Sequence, residues 1–229
     1  MEMPKIKTRL EVKSEAGSNK AELFLYGTIR QAHPWENGNE CISSKGVMKS
    51  LAEIGDKDID VHINSGGGDT FESICICNLL KQHSGIVNIY IDSLAGSGAS
   101  VIATAGEKIF MFPASMQFIH NASTIIYGNA KELRKTAEDL DKISESACQS
   151  YKSKFVGTDE ELTKLLDEET FLTATECLDY GLCTDIIEDK KIDPPAEPQQ
   201  SVKASLFAKY HKEPQPDVPK TSLFNMFKK

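Results

Sequence analysis

The sequence predicts an α/β fold, a single layered domain in which strands alternate with helices, followed by a tail of different composition. Short β-prone runs alternate with stretches whose apolar residues recur at helical spacing, the pattern of strands covered by helices. Two glycine-rich segments, Gly66-Gly-Gly68 and Gly96-Ser-Gly98, fall where a strand gives way to a helix. Composition then changes near residue 189. Six of the nine prolines lie in residues 190–229, where eight lysines and four acids give a net of +4, against −8 for the whole chain and hence −12 for residues 1–189.

Taken in order, Ala21-Glu-Leu-Phe-Leu-Tyr26 is a β-prone run ended by Gly27. Ile59-Asp-Val-His-Ile63 alternates apolar and polar residues and leads into Asn64-Ser-Gly-Gly-Gly-Asp69. Residues 70–83 repeat apolar side chains at helical spacing, and Val87-Asn-Ile-Tyr-Ile-Asp92 returns to strand, which makes a βαβ unit. Ser100 to Ala105 reads as the next helix, Lys108 to Phe112 as a strand stopped by Pro113, and Gln117 to His120 as another. The longest helix is expected over 129–155, where Leu133, Ala137, Leu140, Ile143, Ala147, Tyr151 and Phe155 form one apolar stripe. Capping boxes at Thr158-Asp-Glu-Glu161 and Thr173-Ala-Thr-Glu176 start two more helices, and Gly181 reads as a C-terminal cap. The expected division is an N-terminal segment 1–19, a folded domain 20–188 and a Pro/Lys-rich, flexible C-terminal tail 189–229. Within that tail, Lys203-Ala-Ser-Leu-Phe207 and Lys220-Thr-Ser-Leu-Phe224 form an approximate repeat. It reads either as a docking motif shown twice or as apolar tail that folds back on its own core.

Composition limits the function. A chain of 229 residues, 40% apolar and 26% charged, buries one sizeable core. No run of about 18 apolar residues suggests a membrane span, and the opening residues lack the apolar stretch of a secretory signal, so a cytosolic protein is expected. Six cysteines without a C-x-x-C pair read as reduced thiols rather than as disulfides or a metal site. The acidic balance argues against a nucleic-acid partner.

Acyl transfer needs a nucleophile, a base to take its proton, and donors aimed at the oxyanion that forms. Ser97 stands between glycines at a strand-to-helix turn, in Ala95-Gly-Ser-Gly-Ala99, close to the G-x-S-x-G elbow but with alanines at the outer positions. The Gly66-Gly-Gly68 cluster upstream and Gly98 itself offer backbone N–H donors, and Met116-Gln-Phe-Ile-His-Asn121 downstream supplies a base in His120. His33, His62, His83 and His211 have no such context and read as structural. Phosphate-binding readings of the glycine turns fail. No Gly-Lys-Ser/Thr follows either cluster, and the third glycine of a dinucleotide fingerprint would fall at Val101. No metal or organic cofactor is indicated.

At these residues the chain resembles the proteolytic subunit of the Clp protease and, more closely, the Clp-like head maturation (prohead) proteases of tailed phages. The resemblance is carried by Ile63-Asn-Ser-Gly-Gly-Gly68, Leu94-Ala-Gly-Ser-Gly-Ala-Ser-Val-Ile-Ala103, Phe118-Ile-His120 and Glu169-Thr-Phe-Leu-Thr-Ala-Thr-Glu-Cys-Leu-Asp-Tyr-Gly-Leu182, four motifs in order over roughly residues 20–188. It implies a single-domain Clp/crotonase-like ββα spiral and a serine endopeptidase. By position, Ser97 would be the nucleophile, His120 the general base, and the amides of Gly68 and Gly98 the oxyanion hole. Glu169 stands where the family usually has aspartate, with Asp167 as the alternative acid. The resemblance also implies a ring-forming homo-oligomer, with the 129–155 helix as the ring-to-ring element, acting on protein substrates.

Against the housekeeping Clp subunit stand Gly66 where proline is usual, Gly98 where methionine is usual, and the long Pro-rich tail. These departures favour a protease that cuts capsid or scaffold protein during phage head maturation, in the host cytoplasm or the assembling prohead. The rivals are the housekeeping subunit, a crotonase-type acyl-CoA enzyme that would not need Ser97 or His120, and a catalytically idle Clp-like assembly scaffold.

Overall fold

The computed structural model describes residues 6–15, 17–36 and 40–187. The tail with its two Ser-Leu-Phe segments lies outside the described residues. The strands are β1 (Arg9–Ser14), β2 (Lys20–Ile29), β3 (Asp58–Gly68), β4 (Val87–Gly96), β5 (Lys108–Met111), β6 (Met116–Ile119), β7 (Thr170–Thr173) and β8 (Asp185–Ile186). The helices are α1 (Ser44–Ile54), α2 (Thr70–Lys81), α3 (Gly98–Ala103), α4 (Ala130–Lys152), α5 (Asp159–Asp167) and α6 (Ala174–Asp179).

One sheet in the order β1-β2-β3-β4-β5-β8 forms the frame. From β2 to β8 every neighbouring pair is parallel, and β1 closes one edge antiparallel to β2. The sheet takes in Arg9–Ser14, which the sequence reading leaves to an N-terminal segment. Parallel neighbours need crossover connections, which α2 supplies between β3 and β4. Central strands buried on at least one face carry the core: Leu23, Leu25, Ile59, Val61, Ile63, Ile89 and Ile91 are all at most 1% exposed. Their alternation sends Phe24, His62, Tyr90 and Phe110 to the other face, where neighbouring rings stack across the four strands at 4.8–5.0 Å.

The sheet branches along β4. Its first half, Asn88–Ile91, pairs with β5, while Leu94–Gly96 pairs with β6 instead. β6 in turn pairs antiparallel with β7. The end of β4 stays paired with β3 at Ala95 and exchanges β5 for β6 on its other side, which places Ser97 next to the strand that carries His120.

Several strands run further than the sequence pattern suggests. β2 continues through Gly27 because a register shift between Tyr26 and Thr28 absorbs that glycine as a bulge, and a Cβ at Gly27 would meet Thr8 Oγ1 at 2.7 Å. β3 runs through all three of Gly66–Gly68, held by β2 on one side. α4 is shorter at both ends than the expected 129–155, because Asn129 caps it by a capping box and the chain leaves helix after Lys152. Thr158 and Thr173 cap α5 and α6 by capping boxes. Gly181 follows α6 with φ 74°, the left-handed turn expected of a helix end.

Candidate active site

Ser97 sits between β4 and α3 with φ 51° and ψ −123°, a conformation that a residue with a side chain adopts only at a cost of about 1–3 kcal/mol. The turn is over-determined by its neighbours. Ser97 N–H donates to Phe118 O at 2.7 Å, which fixes the elbow to β6. Ser97 O accepts from Ser100 N–H at 2.9 Å, from Val101 N–H at 3.4 Å and from the Ser100 hydroxyl at 2.6 Å. The hydroxyl of half-buried Ser97 is thereby turned toward His120.

His120 follows β6, and its Nε2 lies 2.8 Å from Ser97 Oγ, a full hydrogen bond between nucleophile and base candidates. Period-two alternation puts Phe118 on the same face of the strand as His120, and their rings stack at 5.0 Å. The β6–β7 register sets Phe171 opposite Phe118, and those rings stack at 4.3 Å. Phe171, Phe118 and His120 thus form a stack that fixes the imidazole plane and restricts its rotation.

The glycine cluster closes the other side. Gly67, with φ 92°, passes so near the elbow that a Cβ there would lie 2.5 Å from Gly96 O, 2.7 Å from Ser97 Cβ and 2.8 Å from Gly98 N. Buried Ser65 braces this passage: its hydroxyl donates to Gly27 O at 2.6 Å and accepts from Gly67 N–H at 3.0 Å. Gly98 is also sterically fixed, since a Cβ on it would come within 2.1 Å of Ser73 Oγ on α2. A small cavity of about 70 Å³ opens here, lined by Gly68, Ser97, Gly98, His120 and Tyr151 among others. The structure therefore gathers Ser97, His120, Gly68 and Gly98 into one place.

Glu169 is reached differently. Ile119 pairs with Thr170 as the last rung of the β6–β7 ladder, with His120 following that rung on one strand and Glu169 preceding it on the other. Its backbone has φ 50° and its side chain is exposed. Among the described residues no carboxylate comes within hydrogen-bonding or ion-pair distance of His120. Asp167, the other acid, accepts a hydrogen bond of 2.7 Å from Asn121 Nδ2, next to the histidine.

Sequence reasoning missed the supports: Ser65, Ser73, Ser100 and the ring of Phe171. A buried serine beside a glycine turn carries no periodic signal; only the coordinates show its hydroxyl between two strands. Among the described residues no group of three His, Cys, Asp or Glu side chains is arranged to hold a metal ion, and no helix is long and apolar enough to cross a membrane. The six cysteines are free thiols, with Cys41, Cys77, Cys177 and Cys183 buried and Cys75 exposed.

The model of the Clp protease family matches residues 40–190, well over half of the chain. A relative from Ligilactobacillus salivarius, an ATP-dependent Clp protease proteolytic subunit, is 31% identical over 142 residues, spanning 61% of this chain and 72% of the relative. The matched span includes both glycine segments, the serine elbow and the histidine strand, and on that extent the chain belongs to the Clp protease family.

Proposed function

We propose that the protein is a serine endopeptidase in which Ser97 attacks the scissile carbonyl, His120 takes and returns the proton, and the amides of Gly68 and Gly98 receive the oxyanion. The observation that carries this reading is the 2.8 Å hydrogen bond between His120 Nε2 and Ser97 Oγ at a backbone turn of φ 51°. In the first step the Ser97 Oγ–C bond forms as its proton passes to Nε2, and the resulting imidazolium then protonates the departing amine. Water repeats the sequence to release the acyl group. Glu169 is the proposed orienting acid, supported by its place next to the Ile119–Thr170 rung that adjoins His120; a turn of its exposed side chain would let it accept from Nδ1. The succession β3–α2–β4–α3–β5–β6 supports the ββα spiral that accompanies this chemistry.

The substrate is protein, and the reading extends to a ring-forming protease that trims capsid or scaffold protein during phage head maturation. What favours this over a housekeeping Clp subunit is Gly66, Gly98 and the Pro-rich tail, all read from sequence. Incubating the purified oligomer with denatured casein, with and without ATP and an unfoldase, tests both levels. Cleavage by wild type but not by Ser97→Ala supports the peptidase. Cleavage that requires the unfoldase would transfer the chain to the housekeeping role, and cleavage that survives Ser97→Ala would remove the serine mechanism.

A further inference from the structure

Helix α4 is exposed over most of its first half, packs Ala147 and Cys148 against the core near its end, and fully buries one residue, Tyr151, 2% exposed. The Tyr151 hydroxyl ends 2.6 Å from Ser100 Oγ. Ser100 Oγ in turn lies 2.6 Å from Ser97 O and 3.3 Å from Phe118 O. Carbonyl oxygens only accept, so the single Ser100 proton goes to one of them, and the Ser100 lone pairs are left for the Tyr151 proton. Burial raises the Tyr151 pKa, which keeps that hydroxyl protonated and a donor. Donation therefore runs from Tyr151 to Ser100 and on to the Ser97 carbonyl, the nearer acceptor at 2.6 Å, with the Phe118 carbonyl at 3.3 Å as its alternative.

Those two carbonyls govern the site. The Ser97–Gly98 peptide is trans and planar, so its C=O and N–H point in opposite directions. Drawing the Ser97 carbonyl inward, onto Ser100 and the start of α3, turns the Gly98 N–H away from the core. Phe118 O also accepts from Ser97 N–H at 2.7 Å, on the strand that carries the base. The same serine hydroxyl thus stands between the nucleophile's carbonyl and the histidine strand.

We propose that Tyr151 and Ser100 form a positioning relay through which helix α4 sets the direction of the Gly98 amide. The relay rests on the serine-peptidase reading above, because it positions an oxyanion donor. It acts through the Ser97–Gly98 peptide, so its loss weakens the reactive geometry rather than binding.

The test is the reaction of the assembled full-length protein with a fluorophosphonate, measured as kinact and KI. Tyr151→Phe keeps the ring and removes only the hydroxyl. Its kinact is expected to fall about tenfold with KI unchanged, less than the ~10²–10³ that outright loss of an oxyanion donor costs. Ser100→Ala is expected to fall similarly, and the double variant no further than the weaker single one, since the two groups act in series. Thermal unfolding and sizing identify folded variants; should Ser100→Ala not fold, the kinact and KI of Tyr151→Phe decide alone. Wild-type kinact in Tyr151→Phe, with Ser97→Ala unlabelled, overturns the relay and leaves the hydrolase standing. An effect confined to KI, or additive effects in the double variant, also overturn the relay. A wild-type protein that takes no label overturns both.

Discussion

Gly67→Ala addresses the geometry that holds the elbow, and its effect can be worked from the coordinates. Gly67 has φ 92°, where an L side chain costs about 1–2 kcal/mol. The new methyl would also meet Gly96 O, Ser97 Cβ and Gly98 N at 2.5–2.8 Å, mostly backbone that cannot swing aside. Overpacking of this kind costs about 1–3 kcal/mol, so the total is roughly 2–5 kcal/mol. In a chain of this size each kcal/mol lowers Tm by about 2–4 °C, which sets a fall of roughly 10 °C. Gly55→Ala provides the comparison. It has φ 70°, with nothing within 4 Å of the added methyl, so it carries the backbone cost alone. Thermal unfolding and fluorophosphonate labelling of the two variants separate the effects. Gly67→Ala should lose clearly more stability than Gly55→Ala and label at least tenfold more slowly, because the methyl presses on Ser97 and on the Gly98 amide. Equal stability losses, with Gly67→Ala labelled at the wild-type rate, would refute the claim that β3 and the elbow are in rigid contact.

The remaining predictions concern the acid, the thiols and low pH. Glu169→Gln should reduce the labelling rate by ~10²-fold or more while Asp167→Asn reduces it by less than about threefold, measured as kinact; the reverse order would move the third triad position to Asp167. In native protein at pH 8, iodoacetamide should modify Cys75 first and leave Cys177, whose thiol burial pushes up to about 12, as read by peptide mass mapping. The Arg30 guanidinium, 2.5 Å away, holds the Glu36 carboxyl down at about 2, helped by the His33 amide. A depressed carboxyl contributes stability that is present above the ordinary carboxylate range of about 4.3 and is lost as pH falls toward its folded value. The Tm difference between wild type and Glu36→Gln should therefore shrink from pH 6 to pH 2.5, and a constant difference would rule out the ion pair as its source.

Much of the site was readable because its chemistry sits on motifs with fixed spacing. The three glycines end β3, Ser97 follows β4 and His120 follows β6, and parallel strands bring their C-terminal ends to one side of a sheet. Ser97 and His120 could be picked from those ends without coordinates. The branch of β4, which pairs Ile91 with Met111 but Leu94 with Met116, was not readable, since nothing local marks where a strand changes partner. β1 was missed although Leu10 and Val12 alternate with Arg9, Glu11 and Lys13; the run is short and half of it is charged, and the edge position tolerates that. α1 was missed because Gly46 interrupts its helical pattern, whereas Ser43, which caps it, is an ordinary loop residue until the helix is seen. Tyr151 was identified as one more member of an apolar stripe. That stripe is exposed at Leu133 and Ala137, half-buried from Leu140 to Ala147 and fully buried only at Tyr151, and spacing alone gives no sign that the Tyr151 hydroxyl meets Ser100.

Whether Ser97 is an activated nucleophile is decided by intact-mass analysis after fluorophosphonate treatment. All sizing-column fractions of the wild type, Ser97→Ala and His120→Ala would be compared. One adduct per chain in the wild type, absent from Ser97→Ala and strongly slowed in His120→Ala, is the predicted result. An adduct that persists in Ser97→Ala, or none in any wild-type fraction, would contradict it.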